Sequence, residues 1–281
     1  MMPDLAYVNG EIMPIEKAVV PIEDRGYQFG DGVYEFVASY EGELFLLEEH
    51  LDRLERSMRE LAYEPISRSA IKTAILELSK ASGYKRAGIY IQISRGVAPR
   101  DHTYSKGMPP QIIMTIRPVK ELPQEMRERG ATAITVEDMR WGRCDTKTVQ
   151  LLANSLAKQK AKDSGCNDAI FVSDQGIVRE GTSSNLFIVS DGTLSTHPLT
   201  PNILPGITRM AVLNICKETG LKVEETFFDK TALYAADEAF LTGTVTEILP
   251  IVGIDGKTIG DGKVGPIARR LYDLLREKAL G

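Results

Sequence analysis

No stretch of the 281 residues stays apolar for the roughly 18 positions that a membrane-spanning helix needs, which excludes a chain held in a bilayer by such a helix. Cysteine is scarce. Cys144, Cys166 and Cys216 lie far apart with no CxxC pair, so no disulfide framework and no metal site is expected. Three such cysteines read as free thiols in a reducing compartment, the cytoplasm by default. Positive charge is not in excess either: 34 Lys and Arg against 39 Asp and Glu leave a net charge of -5, with no basic stripe. Nucleic acid and membrane are therefore not expected as partners. The segment Met1 to Lys17 carries acidic residues early, unlike a signal or transit peptide. Repeats and low-complexity tracts are also missing. What remains, 43% hydrophobic and 26% charged, suits one large globular domain or two modest ones, each with its own core.

The first part reads as strand-rich. Leu5 to Val8 and Glu11 to Met13 flank Asn9-Gly10, a strong hairpin signal, and a strand over Val33 to Tyr40 turns at Glu41-Gly42 into Leu44-Phe45-Leu46. Leu47, Leu51, Leu54, Met58 and Leu61 recur at helical spacing and predict one buried stripe. A second helix is expected from Ser69 to Ala81, then strands over Gly88 to Ile93 and Gln111 to Ile116. A run with two prolines and mixed charge marks a linker at 118–123 between an N-terminal domain, 1–117, and a C-terminal domain, 124–281. The latter is expected to hold a strand near Ala131 to Val136 and a helix from Thr148 to Ser164, capped by Gly165. Turns follow at Asp174-Gln175-Gly176 and Asp191-Gly192, with a helix opening at Pro205-Gly206, a strand at Glu238 to Leu241 and a terminal helix from Ala268 to Lys278. The fold class is α+β, two α/β-type domains with largely antiparallel strands, because the even alternation of a doubly wound sheet is missing.

Four segments carry chemistry. Arg140 to Lys147 sets a lysine where a strand ends and a helix is expected. Val178 to Phe187 offers Glu180 beside the hydroxyls of Thr182, Ser183 and Ser184. Pro205-Gly206-Ile207-Thr208-Arg209 opens a helix whose free amides and dipole suit an anion, and Thr242-Gly243-Thr244-Val245-Thr246 adds hydroxyls after a buried strand. Arg53 is the natural counter-ion, on a stripe with His50 and Ser57 beside the leucines. Taken singly, each is more often ordinary: a solvated lysine, a strand-end glutamate, a plain cap, a solvated helix face. Together they answer the four demands of pyridoxal 5′-phosphate (PLP): an amine for its aldehyde, an anion for its pyridine nitrogen, donors for its phosphate and packing for its ring.

Over nearly its full length the chain resembles the fold-type IV PLP enzymes, and among them the bacterial D-amino-acid aminotransferases. Asp24 to Glu35, His50 to Arg53, Arg95 to His102, Arg140 to Lys147, Glu180 to Phe187 and Gly206 to Arg209 carry the likeness in family order. The resemblance implies that Lys147 is the Schiff-base lysine and proton shuttle and that Glu180 pairs with the pyridine nitrogen. It implies that Arg53, Ile207, Thr208 and Thr244 hold the phosphate, that Leu204 packs on the ring, and that Ser183 and Ser184 line the cofactor pocket. Tyr34 belongs to the substrate side, although Tyr34 and Phe36 could equally share one buried strand face. Val245 departs from the pattern, standing where a second hydroxyl is expected after Thr244. Arg100 and His102, offered by the neighbouring subunit of a homodimer, would clamp the substrate α-carboxylate; otherwise they are a solvated turn. His197 is expected to be structural. The implied reaction is ping-pong transamination of D-amino acids with an α-keto acid such as 2-oxoglutarate or pyruvate. The alternatives are a branched-chain L-amino-acid aminotransferase, an aminodeoxychorismate lyase using the same cofactor for elimination, and a non-enzymatic phosphate binder.

Overall fold

In the computed structural model, which describes residues 4–281, the chain forms two compact units. Of the described residues, the first takes 4–120 together with 146–150; the second takes 121–145 and 151–281. No helix among the described residues is long and apolar enough to cross a membrane.

The first unit runs β1 (Leu5–Val8), β2 (Glu11–Pro14), α1 (Arg25–Phe29), β3 (Gly32–Tyr40), β4 (Glu43–Leu44), α2 (Leu47–Glu60), α3 (Arg68–Ser82), β5 (Ala87–Ser94) and β6 (Gln111–Pro118). Its six strands form an antiparallel sheet in the order β2-β1-β6-β5-β3-β4. Asn9 and Gly10 turn the first hairpin at φ 48° and 110°, as the dipeptide predicts. The expected stripe is present: Leu47, Leu51, Leu54 and Met58 of α2, with Ile71, Ile75 and Leu78 of α3, bury against Val33, Val37, Ile89, Ile91 and Ile116. Each buried leucine contributes about 1.5–3 kcal/mol. The strand expected at Leu44-Phe45-Leu46 shrinks to Glu43–Leu44, because Leu46 turns to φ 54° to start α2.

The second unit runs α4 (Gln124–Arg129), β7 (Ala131–Glu137), α5 (Leu152–Asp163), β8 (Asp168–Val172), β9 (Val178–Gly181), β10 (Asn185–Ser190), β11 (Thr193–Thr196) and α6 (Ile207–Thr219). It continues through β12 (Val223–Glu225), α7 (Lys230–Ala235), β13 (Glu238–Gly243), β14 (Glu247–Ile254), β15 (Lys257–Thr258) and α8 (Pro266–Leu280). The nine strands follow β12-β11-β10-β13-β14-β7-β8-β9, with β15 beside β14. Because β9 also pairs with β10, at Glu180 and Asn185, the path closes on itself. Most pairs are antiparallel; β7–β8, β7–β14 and β11–β12 are parallel. The helix expected from Thr148 begins only at Leu152, since residues 148–150 are drawn into backbone pairing with β3 and packed in the first unit.

Two features tie the second unit together. Glu247, buried at φ 54°, accepts Arg127 Nη2 from α4 (2.6 Å) and Arg276 Nη1 from α8 (2.9 Å). Phe187 and Phe240, cross-strand partners on β10 and β13, stack with centroids 5.1 Å apart and planes 4° from parallel. Phe187→Leu and Phe240→Leu should each destabilise the protein, and the double variant should fall short of their sum by about 0.5–1.5 kcal/mol. Urea denaturation of the four proteins checks this; strict additivity would mean that the stack adds nothing beyond burial.

Candidate active site

Lys147 lies in an irregular segment beside β3, not at a helix start; Thr148 N–H turns back to Thr146 O across it (3.0 Å). Tyr34 N–H donates to its carbonyl (2.9 Å), Val149 N–H donates to Gly32 O (3.0 Å), and Lys147 N–H donates to Ser57 Oγ (3.2 Å). Its Nζ sits 4.1 Å from the centroid of the Tyr34 ring, which itself leans on Tyr90 at 5.6 Å. β3 alternates, so Tyr34 and Phe36, both half-buried, share the face opposite the core, while Val33, Glu35 and Val37 face α2.

Glu35, which the sequence reading passed over, is the hub of the α2-facing side. Both its oxygens accept from Arg53, Oε1 from Nε (2.6 Å) and Oε2 from Nη2 (2.8 Å), and Oε2 also meets His50 Nδ1 (2.7 Å). Burial alone would raise the Glu35 carboxyl, but the charge and hydrogen bonds of Arg53, then of His50, hold it well below the ordinary range. Arg53 is therefore buried and anchored by a bidentate ion pair. A carboxylate at an inward position of an apolar strand was the available signal, since such a charge needs a partner.

Arg100 and His102 lie in the long connection between β5 and β6 and are exposed. Both rest on Phe29, the Arg100 guanidinium 5.0 Å and the His102 ring 5.5 Å from its centroid.

In the second unit Glu180 is buried at the closure of the sheet. It accepts from Arg140 Nη1, from Asn185 Nδ2 (2.9 Å) and from Leu204 N–H (3.1 and 3.2 Å). Burial pushes its carboxyl up, with the Arg140 charge and the Leu204 amide pulling against that rise. Arg140 is held in turn by Asp138 (2.9 and 2.7 Å) and lies 4.2 Å from the Phe171 centroid, and Arg179 also donates to Asp138 (2.6 Å). Burial would raise Asp138; the two arginines outweigh it and hold its carboxyl below the ordinary range. Asp138 carried no sequence signal beyond alternating with Arg140.

Ile207 and Thr208 are buried in the first turn of α6, whose N-cap, Gly206, provides no side-chain bond. A Cβ on Gly206 would collide with the Asn185 carboxamide oxygen, so glycine is required there. Ser184 Oγ and Thr242 Oγ1 are buried hydroxyls without a partner; Ser183 and Val245 are exposed, Thr244 half-buried. His197 is buried, its Nδ1 2.7 Å from Pro198 O, as expected of a structural histidine.

The sequence model of the family described as amino-transferase class IV matches residues 32–254. The chain belongs to the class IV aminotransferases. This class IV chain is 43% identical over 273 residues to D-alanine aminotransferase of Bacillus licheniformis, covering 97% of this chain and 96% of that one. It is 40% identical over 268 residues to D-alanine aminotransferase of Staphylococcus haemolyticus, covering 95% of each. Among solved structures, the branched-chain aminotransferase of Thermoproteus uzoniensis, with norvaline, superposes with a TM-score of 0.88 at 30% identity, over 99% of this chain and 95% of that one. Class IV aminotransferases use PLP, and each unit carries groups of the kind it needs: in the first an amine at Lys147, and in the second a buried carboxylate at Glu180, amides at the uncapped start of α6 and a buried hydroxyl at Ser184 that lacks a partner.

Because the folded Asp138 carboxyl is depressed, its contribution to stability is present above the ordinary pKa of about 3.9 and is lost as pH falls below it. Asp138→Asn should cost roughly 3 kcal/mol at pH 7 by unpairing Arg140 and Arg179, whose side chains are 6% and 19% exposed. Urea denaturation should find that gap unchanged from pH 7 to 5.5 and narrowing below about pH 4. A gap independent of pH would contradict the ion-pair assignment.

Proposed function

We propose that this chain moves the amino group of D-amino acids to an α-keto acid, such as 2-oxoglutarate or pyruvate, in two alternating half-reactions. Bound PLP supplies an aldehyde to take up the amino group and a ring that draws electrons from Cα. The observation that carries the reading is Lys147: a half-buried amine in no ion pair among the described residues, set over the Tyr34 ring by backbone pairing with β3. Lys147 is the covalent partner of the cofactor and moves the Cα proton through Nζ. Glu180, steadied by Arg140 and Asn185, is the anion for the ring nitrogen. Arg53, Ile207, Thr208 and Thr244 hold phosphate, Leu204 packs on the ring, Ser183 and Ser184 line the pocket, and Tyr34 meets substrate.

The D-preference rests on identities of 43% and 40% to D-alanine aminotransferases, against 30% to the branched-chain enzyme. Arg100 and His102 bind the α-carboxylate, and they do so in the site of a second copy. A homodimer is supported by Val19, Ile22 and Tyr27, 79%, 77% and 75% exposed, on a stretch whose Asp24 bridges to Val97 at the root of the Arg100 loop. The free thiols suit the cytoplasm.

Borohydride reduction and peptide mapping should place the cofactor on Lys147, and Lys147→Ala should lose both adduct and activity; an adduct on another lysine overturns the assignment. Turnover of D-alanine and D-glutamate with 2-oxoglutarate should far exceed that of L-leucine and L-valine, and strong L-leucine activity would replace the D-reading with the branched-chain one. Mixing Lys147→Ala with Arg100→Ala subunits should regenerate activity; none, with exchange demonstrated, means that each site is built within one chain.

A further inference from the structure

The connection that carries Arg100 and His102 has little structure of its own. Residues 99–107 are all exposed, and a cavity of about 290 Å³, lined by Tyr63, Arg95, Tyr104, Lys106 and Met108 among others, lies beside it. Its side chains pack at few points, Arg100 and His102 against Phe29 and Tyr104 against the Arg95 guanidinium (3.9 Å), and these contacts leave the backbone between them unheld. A connection of this length without regular structure needs another constraint to hold one conformation.

That constraint is Arg25, a buried residue at the start of α1. Its Nη1 donates to Asp101 O (2.7 Å) and Thr103 O (3.1 Å), and its Nη2 donates to His102 O (3.3 Å). Three consecutive carbonyls of the loop thus converge on one planar fork. The fork is aimed from behind: Nε donates to Asp31 Oδ2 (3.0 Å), and Asp31 also accepts from Arg95 Nε and from Tyr63 Oη. The Arg25 guanidinium lies 4.6 Å from the centroid of Phe29, the ring on which Arg100 and His102 rest.

We infer that Arg25 is the positioning residue for substrate carboxylate recognition: it holds the backbone at 101–103 so that Arg100 and His102 are presented together. The inference rests on the proposed role of those two side chains as the carboxylate clamp. Arg25 touches no substrate itself. It contributes by removing conformations the loop would otherwise sample, so its loss weakens binding and leaves the chemistry at Lys147 unaltered. Lysine cannot replace it, because an ammonium has three donors and no fixed fork with which to hold three carbonyls and Asp31 together.

The test uses the PLP-loaded enzyme as wild type, Arg25→Ala, Arg25→Lys and Arg100→Ala, with Arg25→Lys guarding against an alanine variant that fails to fold. Tryptic cleavage of the native enzyme after Arg100 or Lys106 should speed up roughly tenfold or more in both Arg25 variants, with sites elsewhere unchanged. The KM for D-alanine should rise about ten- to a hundredfold while kcat changes less than about threefold and PLP content is retained. Adding Arg25→Ala to a variant that already carries Arg100→Ala and His102→Ala should raise KM little further, since Arg25 acts through those two side chains. If loop cleavage is unchanged, or if KM rises in Arg100→Ala but not in the Arg25 variants, the role of Arg25 is refuted and the clamp stands. If Arg100→Ala leaves KM unchanged, the clamp reading fails and the inference falls with it. A drop in kcat and PLP content equal to the change in KM would make Arg25 merely structural and overturn the proposal.

Discussion

Backbone pairing between β3 and the segment 146–150 is the constraint on which the first unit's chemistry depends. It holds the Lys147 main chain through Tyr34 N–H and Ser57 Oγ, and so places the amine over Tyr34. The same strand turns Glu35 to its other face, where it anchors Arg53 and His50 of α2. A single β-strand therefore sets the amine on one side and a guanidinium on the other. The period of two along a strand makes this possible with adjacent residues, and a one-residue slip would exchange the two faces.

The second unit solves a related problem by closing its sheet. Glu180 and Asn185 face each other where β9 meets β10, and Asn185 spends its amide on Glu180 and on Leu204 O (2.8 Å) while its oxygen fills the space beside Gly206. One carboxamide thereby fixes the carboxylate and the approach to α6. Helix, strand end and acid are coupled through a residue that performs no chemistry of its own.

Much of this was legible in the residues. The α2 stripe, the Asn9-Gly10 hairpin and the strands at β3, β5 and β6 follow from local periodicity and turn chemistry, and the motif segments point to a PLP enzyme of this class. The start of α5 was not legible. Nothing in Thr148-Val149-Gln150 forbids a helix, and only pairing with β3, more than a hundred residues earlier in sequence, draws these residues out of a helical course. Arg25 and Asp138 were hidden for a similar reason, because their partners are backbone carbonyls and arginines brought close by tertiary structure. Glu35 was more accessible: an acid between Val33 and Val37 on a strand implies buried counter-charges, and His50 and Arg53 had already been placed on one helix stripe.

Arg25, Arg53 and Arg95, which are buried, and Arg140, which is nearly so, share one arrangement, each aimed by a carboxylate: Arg25 and Arg95 by Asp31, Arg53 by Glu35, and Arg140 by Asp138. An unpaired guanidinium in these surroundings would cost several kcal/mol, roughly the effective penalty for one buried ion, so the acid is a condition of the arginine being there at all. Pairing one edge of the fork also fixes the plane of the rest, and what remains is then directed at a defined place. Arg25 directs it at the 101–103 carbonyls, Arg95 at the carbonyls of Leu61 and Ala62, and Arg140 at Glu180. These side chains recognise parts of their own chain. The proposed contacts to the substrate carboxylate, Arg100 and His102, are by contrast exposed and in no ion pair among the described residues, which keeps their donors available to an incoming carboxylate. Precision in such a site comes from the buried layer behind it. Exchanging arginine for lysine in that layer is a change of geometry even where the charge is kept.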